Sequence, residues 1–68
     1  KLGQYEQAIE HFRRAVTLNP ASAVDYANLG VNYHRLGRHG EAKEFLTLAL
    51  TLDPGLEFAR NLLDELSA

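Results

Sequence analysis

Sixty-eight residues admit at most one small domain, and such a chain buries only about 60% of the surface it exposes when unfolded, so its stability is marginal. The 46% hydrophobic fraction argues against disorder, and the absence of cysteine excludes both a disulfide framework and a zinc–thiolate site. The net charge of −2, with seven Lys and Arg scattered among nine Asp and Glu, offers neither nucleic acid nor an anionic membrane an electrostatic footprint.

The first predicted element is a helix from Tyr5 to Leu18, closed by Asn19-Pro20. Proline cannot continue the helical ladder and restricts the residue before it. The second opens at Ser22, a good N-cap, with Asp25 three residues on as in a capping box. Its apolar residues are Val24, Tyr26, Ala27, Leu29, Val31 and Tyr33, and it ends at Leu36-Gly37, where glycine supplies a left-handed cap. The third carries Ala42, Phe45, Leu46, Ala49, Leu50 and Leu52 at spacings of three and four and stops at Asp53-Pro54. Gly40 near its start costs up to about 1 kcal/mol against Ala. The last runs from Leu56 to Ser67, with Phe58, Leu62, Leu63 and Leu66 apolar. No strand signal is present.

The chain also repeats itself. Shifted by 34 residues, it pairs Leu2 with Leu36, Gly3 with Gly37, Ala8 with Ala42, Glu10 with Glu44 and Ala15 with Ala49. Thr17 pairs with Thr51, Leu18 with Leu52 and Pro20 with Pro54. Chance would give about one identity over this stretch, so duplication is the reading.

A helix-turn-helix unit of this length, with Tyr26, Leu29-Gly30, Tyr33, Gly37, Ala42, Leu46, Ala49 and Pro54 in order, resembles the tetratricopeptide repeat, or TPR. Gly3, Tyr5, Ala8, Phe12, Ala15 and Pro20 match the second half of a preceding unit. The resemblance covers essentially the whole chain. It implies an all-α fold of antiparallel helix-turn-helix repeats stacked as a short right-handed superhelix of four helices. The expected division is 1–20, the second helix of a repeat; 21–54, a complete repeat; and 55–68, a terminal capping helix. Gly30 and Ala42 are small because two antiparallel helices must approach closely, while Tyr26, Tyr33 and Phe12 fill the volume between units. Units stack because none alone covers its apolar face. Ile9, Phe12 and Val16 are expected to lack a partner from the missing first helix. Arg60 and Asp64, on the aromatic and glycine positions of the last helix, suit a polar outer face.

Histidines and carboxylates invite a metal or catalytic reading. A zincin needs two His four apart on one helix with Glu after the first. Here His34 and His39 are five apart, with the Gly37 turn between them, and on different helices. His11 lies on another repeat. His39, where the earlier unit has Tyr5, is expected to pack partly exposed at the start of its helix. Glu41 and Glu44 read as a solvated face, like Glu6 and Glu10. No Gly-rich phosphate loop and no Ser–His arrangement is present. The expectation is therefore no enzyme, no metal and no cofactor.

What the resemblance implies is a peptide or protein partner held along the concave face lined by the first helix of each unit. That face comprises Val24, Ala27, Asn28, Val31, His34 and Arg35, continued by Phe58, Asn61, Leu62 and Glu65 on the last helix. Asn28 stands where family members often use Asn to hold a ligand's main chain, since an amide both donates and accepts. Arg35 and His34 would meet a carboxylate. One branch of the family clamps the C-terminal carboxylate of chaperones with Lys, Asn and Arg, but Phe58 and Leu62 stand here where basic residues are needed. Two alternatives are self-assembly through the unpaired N-terminal edge and a substrate-presenting appendage of a larger enzyme. No membrane partner is expected: apolar runs fall far short of the roughly 20 residues that span a bilayer, and KLGQYEQ has no apolar signal segment. The lack of an initial methionine suggests a piece of something longer, with the cytoplasm as the default compartment.

Overall fold

The structure, a computed structural model, describes residues 2–68. Among these the secondary structure is four α-helices and no strand: α1 Leu2–Leu18, α2 Ala23–Arg35, α3 His39–Leu52 and α4 Glu57–Ser67. The connections span residues 19–22, 36–38 and 53–56, short enough to force each helix antiparallel to the next.

The closures repeat as faithfully as the letters. At the end of α1, Asn19 Oδ1 accepts from the Ala21 amide (3.3 Å) and Asn19 O from the Ser22 amide (3.2 Å). At the end of α3, Asp53 Oδ1 accepts from the Gly55 amide (3.0 Å) and Asp53 O from the Leu56 amide (3.2 Å). Thr17 and Thr51 each donate a hydroxyl to the carbonyl four residues back, both at 2.9 Å. Side chains of Asn, Asp and Thr that bond their own backbone are common where a helix hands over to a turn.

Between α2 and α3 the stop is a Schellman motif. Arg38 N donates to Tyr33 O and Gly37 N to His34 O, both at 2.9 Å. Gly37 adopts φ +81°, which glycine reaches without a Cβ penalty. At the start of α2, Ser22 Oγ accepts from the Asp25 amide (3.4 Å). Only this half of the expected capping box forms, because the Ser22 amide is spent on Asn19 O.

Two apolar clusters form where helices meet in threes. One joins Ile9 of α1, Leu29 and Tyr33 of α2 and Ala42 of α3, with Phe12, Val16 and Phe45 around it. The other joins Ala27 of α2, Leu46, Ala49 and Leu50 of α3 and Ala59 of α4, with Leu62, Leu63 and Leu66 packed against it. α2 and α3 approach closely at Gly30. A Cβ there would lie 2.7 Å from Leu46 Cγ and 3.1 Å from the Ala42 carbonyl oxygen. Tyr26 and Tyr33 of α2 both stack on Phe45 of α3, with ring centroids 6.4 and 5.4 Å apart.

α1 begins at Leu2, not Tyr5, so Gly3 lies inside it and does not share the positive φ of its counterpart Gly37; a Schellman cap needs helical carbonyls four and three residues upstream. Ile9, Phe12 and Val16, whose own unit's first helix is not among the four, pack with Leu29 and Tyr33 of α2, and Ile9 is buried. Ala8 and Ala15 of α1 are half-exposed, whereas their counterparts Ala42 and Ala49 are fully buried. His39, the first residue of α3, is exposed, and its ring packs against that of His34.

Candidate functional site

Residues Val24, Asn28, Val31 and Arg35 are spaced four, three and four along α2 and therefore share one face. Val24 is exposed (49%), Asn28 and Val31 are half-buried, and Arg35 is exposed. The Arg35 guanidinium lies 5.7 Å from the ring centroid of Tyr5 on α1, a cation–π contact. No hydrogen bond among the described residues uses the Asn28 side chain; its carbonyl oxygen accepts from Asn32 Nδ2 (2.8 Å).

Ala27 belongs elsewhere. It is fully enclosed with Leu46, Ala49, Leu50 and Ala59, so it offers a ligand no surface. A methyl group there lets α2 close on the packed helices, and the surface on either side is left to Val24 and Val31. His34 is half-buried, and its Nδ1 lies 3.2 Å from His39 Nδ1, so its ring is engaged within the chain. On α4, Phe58 is exposed (44%), as are Asn61 and Glu65, while Leu62 packs on the core. Val24 and Phe58 are 34 residues apart and thus occupy equivalent places in successive units. Both leave a large apolar side chain in solvent.

Sequence reasoning missed the surroundings of Tyr33. This ring is buried, its hydroxyl accepts from Arg13 Nη1 (3.3 Å), and Arg38 lies 5.1 Å from its centroid. Arg38 also holds Glu41 through Nε–Oε1 and Nη2–Oε2 contacts of 2.6 and 2.9 Å, a bidentate pair. Glu41 is therefore an ion-pair partner, not a free base. The only advance signal was the three-residue spacing of Arg38 and Glu41. A shallow depression lined by Arg14, Thr17 and Leu18 of α1 involves none of the α2 residues and gathers no convergent polar groups. Among the described residues, no three His, Cys, Asp or Glu side chains gather as a metal site, and no helix is long and apolar enough to cross a membrane.

Comparison with known proteins agrees with the helical pairing. A family described as TPR repeat matches residues 1–37, and one described as tetratricopeptide repeat matches residues 26–56. A protein O-mannosyl-transferase of Caenorhabditis elegans is 40% identical over 53 residues, covering 78% of this chain and 8% of that protein. A FAM10 family protein of Arabidopsis thaliana is 40% identical over 50 residues, covering 74% of this chain and 11% of that protein. The chain thus spans about a tenth of the length of these relatives. No solved structure matches.

Proposed function

Because this chain belongs to the tetratricopeptide repeat family, whose repeats mediate protein–protein interaction and typically carry no catalysis, we propose that it binds an extended peptide segment across α2 and α4. The observation that carries this reading is the exposed apolar pair Val24 and Phe58 in equivalent places of successive units, together with an Asn28 side-chain amide that has no hydrogen-bond partner among the described residues. The apolar pair supplies anchors, the amide fixes a main chain, and Arg35 adds a charge at the C-terminal end of α2. The relatives' greater length favours a module within a larger protein.

The test is selection of peptides from a displayed library on the intact chain, followed by anisotropy titrations with Asn28→Ala and Phe58→Ala. Both variants should weaken binding by roughly tenfold or more, as anchor truncations do, with the helical circular dichroism unchanged. Undiminished binding in both would remove this face from consideration.

A second reading is self-association through α1, supported by the half-exposed Ala8 and Ala15 where their counterparts are buried. Sedimentation equilibrium across a hundredfold dilution separates the two: a constant monomer mass sinks self-association, and a mass that rises with concentration supports it.

A further inference from the structure

One pair of chemistry-bearing side chains converges where α2 hands over to α3. His34 and His39 face each other across the α2–α3 turn with Nδ1 atoms 3.2 Å apart, ring centroids 5.1 Å apart and planes tilted by 47°. We propose that these two histidines form a bidentate clamp for a borderline divalent cation of the Zn²⁺, Ni²⁺ or Cu²⁺ kind.

The bite fits. With metal–nitrogen bonds of about 2.0–2.1 Å, a nitrogen separation of 3.2 Å subtends roughly 99–106° at the metal, close to a tetrahedral angle. The backbone holds this geometry in advance. The Schellman bonds from Arg38 N to Tyr33 O and from Gly37 N to His34 O, with Gly37 at φ +81°, fix every residue between the two ligands. Little order remains to be imposed on binding, which is what makes a chelate tighter than two separate ligands.

The protons balance without an added reagent. The 3.2 Å Nδ1–Nδ1 contact is a hydrogen bond when one imidazole carries its proton on Nδ1 and the other presents its Nδ1 lone pair. On binding, the donor moves that proton to Nε2 through solvent, and both rings stay neutral with Nδ1 lone pairs on the metal. The surrounding charges are compatible with a cation. Arg38 is tied to Glu41, and Arg35 leans over Tyr5. His34 stands at the C-terminal end of α2, where backbone carbonyls favour positive charge, and His39 at the N-terminal end of α3, where amides oppose it; the two effects offset. Imidazole ligands select borderline metals over Mg²⁺ and Ca²⁺. Among the described residues no third protein ligand is gathered, so the remaining positions belong to water and the bound ion exchanges freely.

The experiment is isothermal titration of the intact chain with ZnCl₂, and separately with MgCl₂, in a non-chelating buffer near neutral pH. His39→Ala and His11→Ala are titrated alongside, each first checked for unchanged helicity. Both histidines are exposed, so both variants should fold. The expected result is saturable micromolar Zn²⁺ binding at one ion per clamp, no Mg²⁺ binding, a loss on the order of 100-fold in His39→Ala and no change in His11→Ala. Absence of saturable Zn²⁺ binding, or undiminished binding in His39→Ala, would overturn the proposal.

Discussion

Gly30 and Gly37 each admit no side chain, for different reasons. At Gly30 the obstacle is space. A Cβ would meet Leu46 Cγ at 2.7 Å and the Ala42 carbonyl oxygen at 3.1 Å, and Leu46 is fully buried, so it has nowhere to move. Gly30→Ala should cost roughly 1–3 kcal/mol, the range for overpacking, read from the urea midpoint. At Gly37 space is open and the obstacle is the backbone: an L-residue at φ +81° costs about 1–2 kcal/mol. Gly40 is the control, with open space around it inside α3. Gly40→Ala should raise stability by up to about 1 kcal/mol. Equal effects at Gly37 and Gly40 in parallel melts would mean that the left-handed turn contributes nothing. Two of these roles were legible in the residue order, because Gly30 follows Leu29 inside a helical pattern and Gly37 closes it. The meeting of His34 with His39 was not legible. Five residues spanning a turn read as separation, and only the hydrogen bonds of that turn fold the second ring back on the first.

The helices differ in how firmly they are held. α2 and α3 share both apolar clusters and the Tyr26–Phe45–Tyr33 stack. α4 contributes one fully buried residue, Ala59, and its N-cap Leu56 makes no side-chain cap bond, whereas Ser22 caps α2. Local opening follows such differences in buried contact. Amide hydrogen exchange should therefore be slowest in the middles of α2 and α3 and faster in α4; protection in α4 equal to that in α3 would contradict this ordering. Ser22→Ala should destabilise the chain by about 1 kcal/mol, the usual worth of a cap, seen as a lower thermal midpoint. Removing the exposed Arg14–Glu10 pair (3.3 Å) should change stability by less than about 1 kcal/mol, because solvent screens it and ordering two long side chains costs entropy.

At the scale of the whole molecule, two clusters at helix junctions hold 68 residues together, and the stability is correspondingly small. The residue order by itself determined the repeat, the four helices and their stops, because these rest on local chemistry. Apolar residues recur at helical spacing, Asn and Asp bond their own backbone before proline, and glycine takes the left-handed turn. It also determined which small residues stand where α2 and α3 meet, since periodicity places them on one face. The tertiary structure alone decided which positions of that face reach solvent. Ala27 was expected beside Val24 and Asn28 but is sealed with Leu46, Leu50 and Ala59, because burial depends on how near the neighbouring helices come. The same nearness carries Ile9 onto α2, sets Arg35 over Tyr5 and brings the two histidine rings into contact. Local bonding patterns are written in a few consecutive residues, whereas these contacts arise only when surfaces distant in the chain are pressed together.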